Sequence, residues 1–170
     1  ALLIGMLLGV GLAAPGHATT TEQRRVLVYV GQEERMARDL FTAFDAVYDA
    51  RVLTRVARDE RGHVLAINRL LKAGMTRDDT GVYVGYAGLQ HQYWEFLAKG
   101  YVDLRSAAEV GIAVERQHLA VLNAALAGSM PRDTVPVLRQ LRADARRHLS
   151  AMFRLLQIAP PAQACTTESC

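Results

Sequence analysis

Between Thr20 and Gln157 the apolar residues recur at spacings of three and four, and nowhere in that span do they alternate for the length of a useful strand. A period near 3.6 is that of amphipathic helices, so the chain is expected to be all-α. Gly and Pro punctuate the pattern. Gly74, Gly100 and Gly128 fall where helices should end, Pro131 opens a connection, and Pro160 closes the last helix. Long helices are predicted over about Thr21 to Asp49, Thr54 to Ala73, Leu104 to Ala127 and Thr134 to Gln157, with a short one over about Gly88 to Lys99. Thr20 and Gln23 have the spacing of a capping box at the first of these.

The second and third long helices are separated by about 30 residues that carry the short helix, which is long for a simple up-and-down arrangement. Four helices with one long crossover form the ferritin-like topology, so a ferritin-like four-helix bundle over residues 20–157 is expected. A length of 170 residues suits one domain, and charged residues at 22% exclude both a disordered acidic chain and a supercharged nucleic-acid binder. Two cysteines rule out a disulfide scaffold or a zinc ribbon.

The ends read differently. Residues 2–13 are apolar and uncharged, and the small residues that follow resemble a signal peptide cut after Ala18, with the sequence starting inside that signal. The stretch is short of the roughly 20 apolar residues that span a bilayer; the alternative is a buried first helix. Export implies a secreted or periplasmic protein without stable membrane insertion after cleavage. Residues 158–170 are expected to form a flexible tail, in which a local Cys165–Cys170 disulfide fits an oxidising compartment better than a metal site does.

Writing out the inward seam of each long helix exposes its polar members. The first seam runs through Val30, Glu34, Ala37 and Phe41; the second through Val56, Glu60, His63 and Ile67. The third carries Gly111, Glu115, His118 and Leu122, and the fourth Leu141, Ala145, His148 and Met152. A lone buried carboxylate costs several kcal/mol unless it is paired or ligated. Three of them with three histidines therefore point to a common partner, and a metal centre is the simplest one. Glu60 with His63, and Glu115 with His118, are Glu-x-x-His pairs, whose i, i+3 spacing aims one carboxylate and one imidazole from one helix face. With eight Glu and five His in the chain, chance supplies about 0.2 such pairs.

Each position has a plainer reading. Glu34, beside Glu33, would also suit a solvated face, and His118 would serve as a group that orients a ligand. Glu33 keeps a minor claim as a bridging carboxylate. His91, near Tyr93 and Trp94, reads as a surface histidine, and His17 belongs to the signal. Tyr29 and Tyr48 read as core residues before redox-active phenols. Arg139, Arg142 and Arg146 read as a solvated stripe, or less readily an oligomer contact such as a homodimer would need. No phosphate loop, supported Ser-His-Asp set or aromatic-interleaved basic patch is present, so nucleic acid is not an expected partner.

Residues from about Val26 to Leu156 resemble an uncharacterised ferritin-like family of bacteria and archaea, distantly related to rubrerythrin and ferritin. The resemblance rests on residues 33–41 (EERMARDLF), 59–63 (DERGH), 89–93 with Gly100, 110–115 (VGIAVE) and 146–149 (RRHL). Glu34, Ala37 and Phe41 resemble the first iron-binding helix of rubrerythrins, which favours Glu34 over Glu33. Two departures stand out: Ala145 occupies the place of a carboxylate three before His148, and His118 stands where the related family usually has Asp. The expected ligand set is therefore Glu34, Glu60, His63, Glu115, His118 and His148. That set is poor in carboxylate for a di-iron site and leaves room for one metal or a zinc-filled site. Mixed carboxylate and imidazole ligands favour Fe, most naturally two ions, with Mn or Zn as alternatives. Dioxygen, peroxide or ferrous iron would be the substrates of such an oxidoreductase. The alternatives are a non-catalytic metal binder or sensor, and a metal-free interaction module.

Overall fold

Five helices account for the regular structure of the computed structural model, which describes residues 19–72, 79–83 and 85–159. They are α1 (Thr21–Tyr48), α2 (Arg51–Leu71), α3 (Ala87–Gly100), α4 (Leu104–Ala127) and α5 (Thr134–Ile158). Among the described residues there is no strand, and no helix is long and apolar enough to cross a membrane. The proposed signal over residues 1–18 and the cysteine-bearing tail from residue 160 lie outside the described residues.

The capping box is present. Thr20 Oγ1 accepts from the Gln23 amide at 3.2 Å, and Gln23 Oε1 accepts from the Thr20 amide at 2.8 Å. At the other end of α1 the expected boundary moves. Asp49 adopts a left-handed conformation, φ 45°, and closes the helix with its amide on the Asp45 carbonyl. Acidic side chains tolerate that region through local hydrogen bonds. The turn is therefore tight enough for α2 to begin at Arg51 rather than Thr54, with Leu53 already fully buried. Asp103 caps α4 by accepting from the Ser106 amide at 2.6 Å.

α1 packs along α2 and α4 along α5, while α1–α4 and α2–α5 contacts join these two hairpins. α3 lies over α1 and α4. Its last residue, Gly100, meets Phe44 so closely that a Cβ there would sit 2.1 Å from the ring. Tyr48 donates its phenol to the Gly100 carbonyl at 2.7 Å, so this seam tyrosine has a structural partner.

The apolar residues form two separate clusters. One gathers Phe41, Phe44, Leu53, Val56 and Met152; the other gathers Leu27, Val30, Ile67, Leu122 and Leu138. By sequence position the seam carboxylates and imidazoles fall between these clusters. The hydrophobic driving force of the two apolar layers thus holds the intervening polar layer away from water.

Candidate metal centre

All six seam residues are buried: Glu60 and Glu115 have no exposed surface, and Glu34, His63, His118 and His148 at most 7%. The structure brings them together from four helices. Glu34 (α1), Glu60 (α2) and His118 (α4) offer ligand-type atoms within 4.8 Å of one another, and so do Glu60, Glu115 (α4) and His148 (α5). Glu60 belongs to both triads. Its Oε1 is 2.9 Å from His148 Nδ1 and its Oε2 is 2.8 Å from His63 Nδ1. His63 Nδ1 also lies 3.0 Å from Glu34 Oε2.

Not every atom in the layer is satisfied. His148 Nδ1 is 3.5 Å from Glu115 Oε1, which is too long for a well-formed hydrogen bond. Both Glu115 oxygens and His118 Nε2 are buried without a hydrogen-bond partner. Native interiors leave few such groups, since each carries its full desolvation cost.

The electrostatics follow from burial and crowding. Burial, and then the charge of Glu60, raise the Glu34 and Glu115 carboxyls to about 8. Burial opposes ionisation of Glu60 as well, but hydrogen bonds from Glu34, His148 and His63 outweigh it and hold Glu60 well below the usual carboxylate range. For His63, burial disfavours the imidazolium, yet hydrogen bonds to Glu34 and Glu60 push it up to about 11. His148 is pushed to about 10, against burial, by Glu115 and Glu60. His118 is also raised against its burial, by the charges of Glu34 and Glu60. Without a bound cation, protons therefore neutralise this layer.

The outer nitrogens of two imidazoles reveal partners that the seam spacing missed. His63 Nε2 is 3.1 Å from Asp144 Oδ2 of α5, and His148 Nε2 is 3.4 Å from Asp59 Oδ2 of α2. Each Asp stands four residues before the histidine of its own helix and reaches the histidine of the other, and the two rings stack at 5.9 Å. A carboxylate on one ring nitrogen fixes the tautomer and leaves the other lone pair facing inward. The sequence carried a signal for this pair: residues 59–63 (DERGH) and 144–148 (DARRH) share an Asp-x-Arg-x-His pattern. Gln140 and Arg147 hold Asp144 from outside.

The acidic run on α1 also serves more than one purpose. Every residue from Val30 to Phe41 is buried, because α2, α3, α4 and the segment at 79–83 surround that stretch. Glu33 is 1% exposed, which corrects the solvated-face alternative for this pair. It accepts from Gln117 at 2.7 Å rather than joining either triad. Asp39 accepts from Arg38 twice through Oδ1 and from the Gly81 amide and the Tyr83 phenol through Oδ2, at 2.8–2.9 Å. Arg35 donates to the Asp79 carbonyl at 3.0 Å and sits 5.5 Å from the Tyr83 ring centre. These residues fasten the α2–α3 connection to α1. His91 is exposed and pairs with Glu95, as expected of a surface histidine. Arg139 and Arg146 are exposed, whereas Arg142 is partly buried and donates to Asn123 at 3.2 Å.

The family described as an uncharacterized protein domain, DUF2202, matches residues 23–159. The uncharacterized protein MJ0754 of Methanocaldococcus jannaschii is 23% identical over 147 residues, covering 84% of this chain and 79% of that protein. The crystal structure titled hypothetical protein MJ0754 superimposes with a TM-score of 0.80 at 22% identity, covering 92% of this chain and 93% of that one. At that identity the likeness concerns the fold.

Proposed function

The chain belongs to the DUF2202 family, and we propose that it is a ferritin-like four-helix protein holding a dinuclear metal centre, best suited to two irons, between its two helical hairpins. One observation carries the proposal. Six carboxylate and imidazole side chains from four helices converge in a sealed layer, five of them in the two triads and His63 through its contacts to Glu34 and Glu60, and both oxygens of Glu115 and Nε2 of His118 have no hydrogen-bond partner. Divalent cations would satisfy these atoms and replace the protons that otherwise neutralise the layer. Glu60, common to both triads, would be among the residues that hold the metal, together with Glu34, Glu115, His118 and His148. Three carboxylates and three imidazoles, with no thiolate, suit Fe or Mn, with Zn as a redox-silent occupant.

When bound, an iron pair supplies redox chemistry toward dioxygen, peroxide or ferrous iron. The chain's own part is to position ligands and exclude water. Asp59 and Asp144 orient the two stacked imidazoles, and the flanking apolar layers keep the site dry. Glu34 and Glu115, at about 8, must release protons when they bind a cation, and so must the His63 and His148 imidazolium ions. The signal-like residues 1–18 favour a site of action outside the cytoplasm.

A metal-free module is the second reading, favoured by the close His63 and His148 contacts to carboxylates at 2.8–3.0 Å. Elemental analysis decides between them, on protein as purified and after reloading with Fe, Mn and Zn, beside His63→Ala. Two ions per chain, reduced in the variant, are expected; near-zero metal after reloading overturns the proposal. Ferrous oxidation and peroxide consumption by Glu115→Gln then separate an enzyme from a binder, because unchanged rates count against catalysis here.

A further inference from the structure

The groove between α1 and α2 opens, beside the segment at 79–83, into a cleft of about 410 Å³ away from the carboxylate–imidazole layer. Its polar lining is Arg38, Asp39 and Thr42 of α1, Arg61 and Asn68 of α2, and Thr80. None of these belongs to either triad.

The one carboxylate among the described lining residues is already saturated. A carboxylate has roughly four lone-pair sites, and four donors occupy those of Asp39: two from Arg38, the Gly81 amide and the Tyr83 phenol. With Arg38 balanced by Asp39, the remaining formal charge among the described lining residues is the guanidinium of Arg61. Arg61 is exposed and has no acidic partner among the described residues. Among the described lining residues the balance is therefore cationic, with hydroxyl and carboxamide groups in the same lining.

We infer that this cleft binds a small organic anion through a carboxylate or phosphate group held by Arg61. Guanidinium groups present paired N–H donors in the geometry that both oxyanions accept. The volume lies within the range of small-molecule sites, about 300–1,000 Å³, and leaves space for a carbon body beyond an inorganic ion. Val64 and Leu65 of α2 supply apolar surface for that body.

The test is calorimetric titration of the metal-loaded protein with phenyl phosphate, benzoate, inorganic phosphate and phenol at low ionic strength. Saturable 1:1 binding of phenyl phosphate or benzoate is expected, stronger than that of inorganic phosphate and absent for phenol. The two organic probes report which headgroup is preferred. Arg61→Gln should weaken binding about 10-fold or more, Arg61→Glu should abolish it, and Arg61→Lys should fall between native and Gln. Since Arg61 is exposed and outside both triads, all three variants should keep native helicity and metal content, which separates this cleft from anion binding at a metal. Non-saturating heats for both organic anions, phenol binding as tightly as they do, or an Arg61→Gln isotherm equal to the native one overturns the inference.

Discussion

Asp144→Asn keeps the size of the side chain that faces His63 Nε2 at 3.1 Å but removes its charge. An amide can still accept one hydrogen bond, yet it polarises the imidazole less and presents an NH2 when it turns over. Loss of a carboxylate behind a metal-bound imidazole typically costs 10–100-fold in metal affinity. At a metal concentration 1,000 times the native Kd, the proposed binding would stabilise the native protein by about 4.1 kcal/mol. A 10–100-fold weaker Kd leaves about 2.7 to 1.4 kcal/mol of this. For a chain of this size 1 kcal/mol moves Tm by about 2–4 °C. The metal-induced rise in Tm should thus fall from about 8–16 °C in the native protein to about 3–11 °C in the variant. The lost Asp144–Arg147 pair, with Arg147 largely exposed, affects the metal-free baseline by at most about 1 kcal/mol and cancels when each variant is compared with its own metal-free form. Differential scanning calorimetry with and without metal reads the difference directly. A metal-induced shift equal to that of the native protein would refute the orienting role given to Asp144.

Acidity should move the metal-free and metal-loaded proteins in opposite directions. Glu34 and Glu115 rise to about 8 in the folded state, and His63 and His148 to about 11 and 10. Each binds protons more tightly folded than unfolded, so metal-free stability should fall as pH rises from about 5 through 9. Glu60, held low, opposes this only in acid. Metal affinity should instead increase over the same window as protons leave, which titrations in weakly buffered solution can follow as proton release. A metal-free Tm that climbs steadily from pH 5 to 9 would contradict this charge arrangement. Separately, Asp39→Ala removes the acceptor of four hydrogen bonds, two of them from the buried Arg38 guanidinium. Urea unfolding of the metal-free protein should show a loss of about 3–5 kcal/mol, and a loss under 1 kcal/mol would mean that Asp39 does not fasten the connection.

The helices and their inward seams could be read from the sequence because they depend on local spacing. The Thr20–Gln23 cap, the buried stripe through Leu138, Leu141, Ala145, His148 and Met152, and the six inward polar residues all follow from a period near 3.6. The start of α2 was less legible, since it turns on a left-handed Asp49 that periodicity cannot register. Burial on every side of α1 between Val30 and Phe41 was also hidden. Arg35 and Asp39 look like solvated charges until the segment at 79–83 is laid against them, some 44 residues further along the chain.

The sequence alone therefore determined which side chains face inward, because a helix repeats its own geometry every few residues. Only the tertiary structure decided which of them meet. The Asp144–His63 and Asp59–His148 pairs join residues 81 and 89 positions apart, and their distance depends on how α2 and α5 pack. The same packing joins Glu60 to both triads and leaves the Glu115 oxygens and His118 Nε2 without a hydrogen-bond partner. Periodicity sets direction along one helix; distances between helices are set by the apolar layers that press them together.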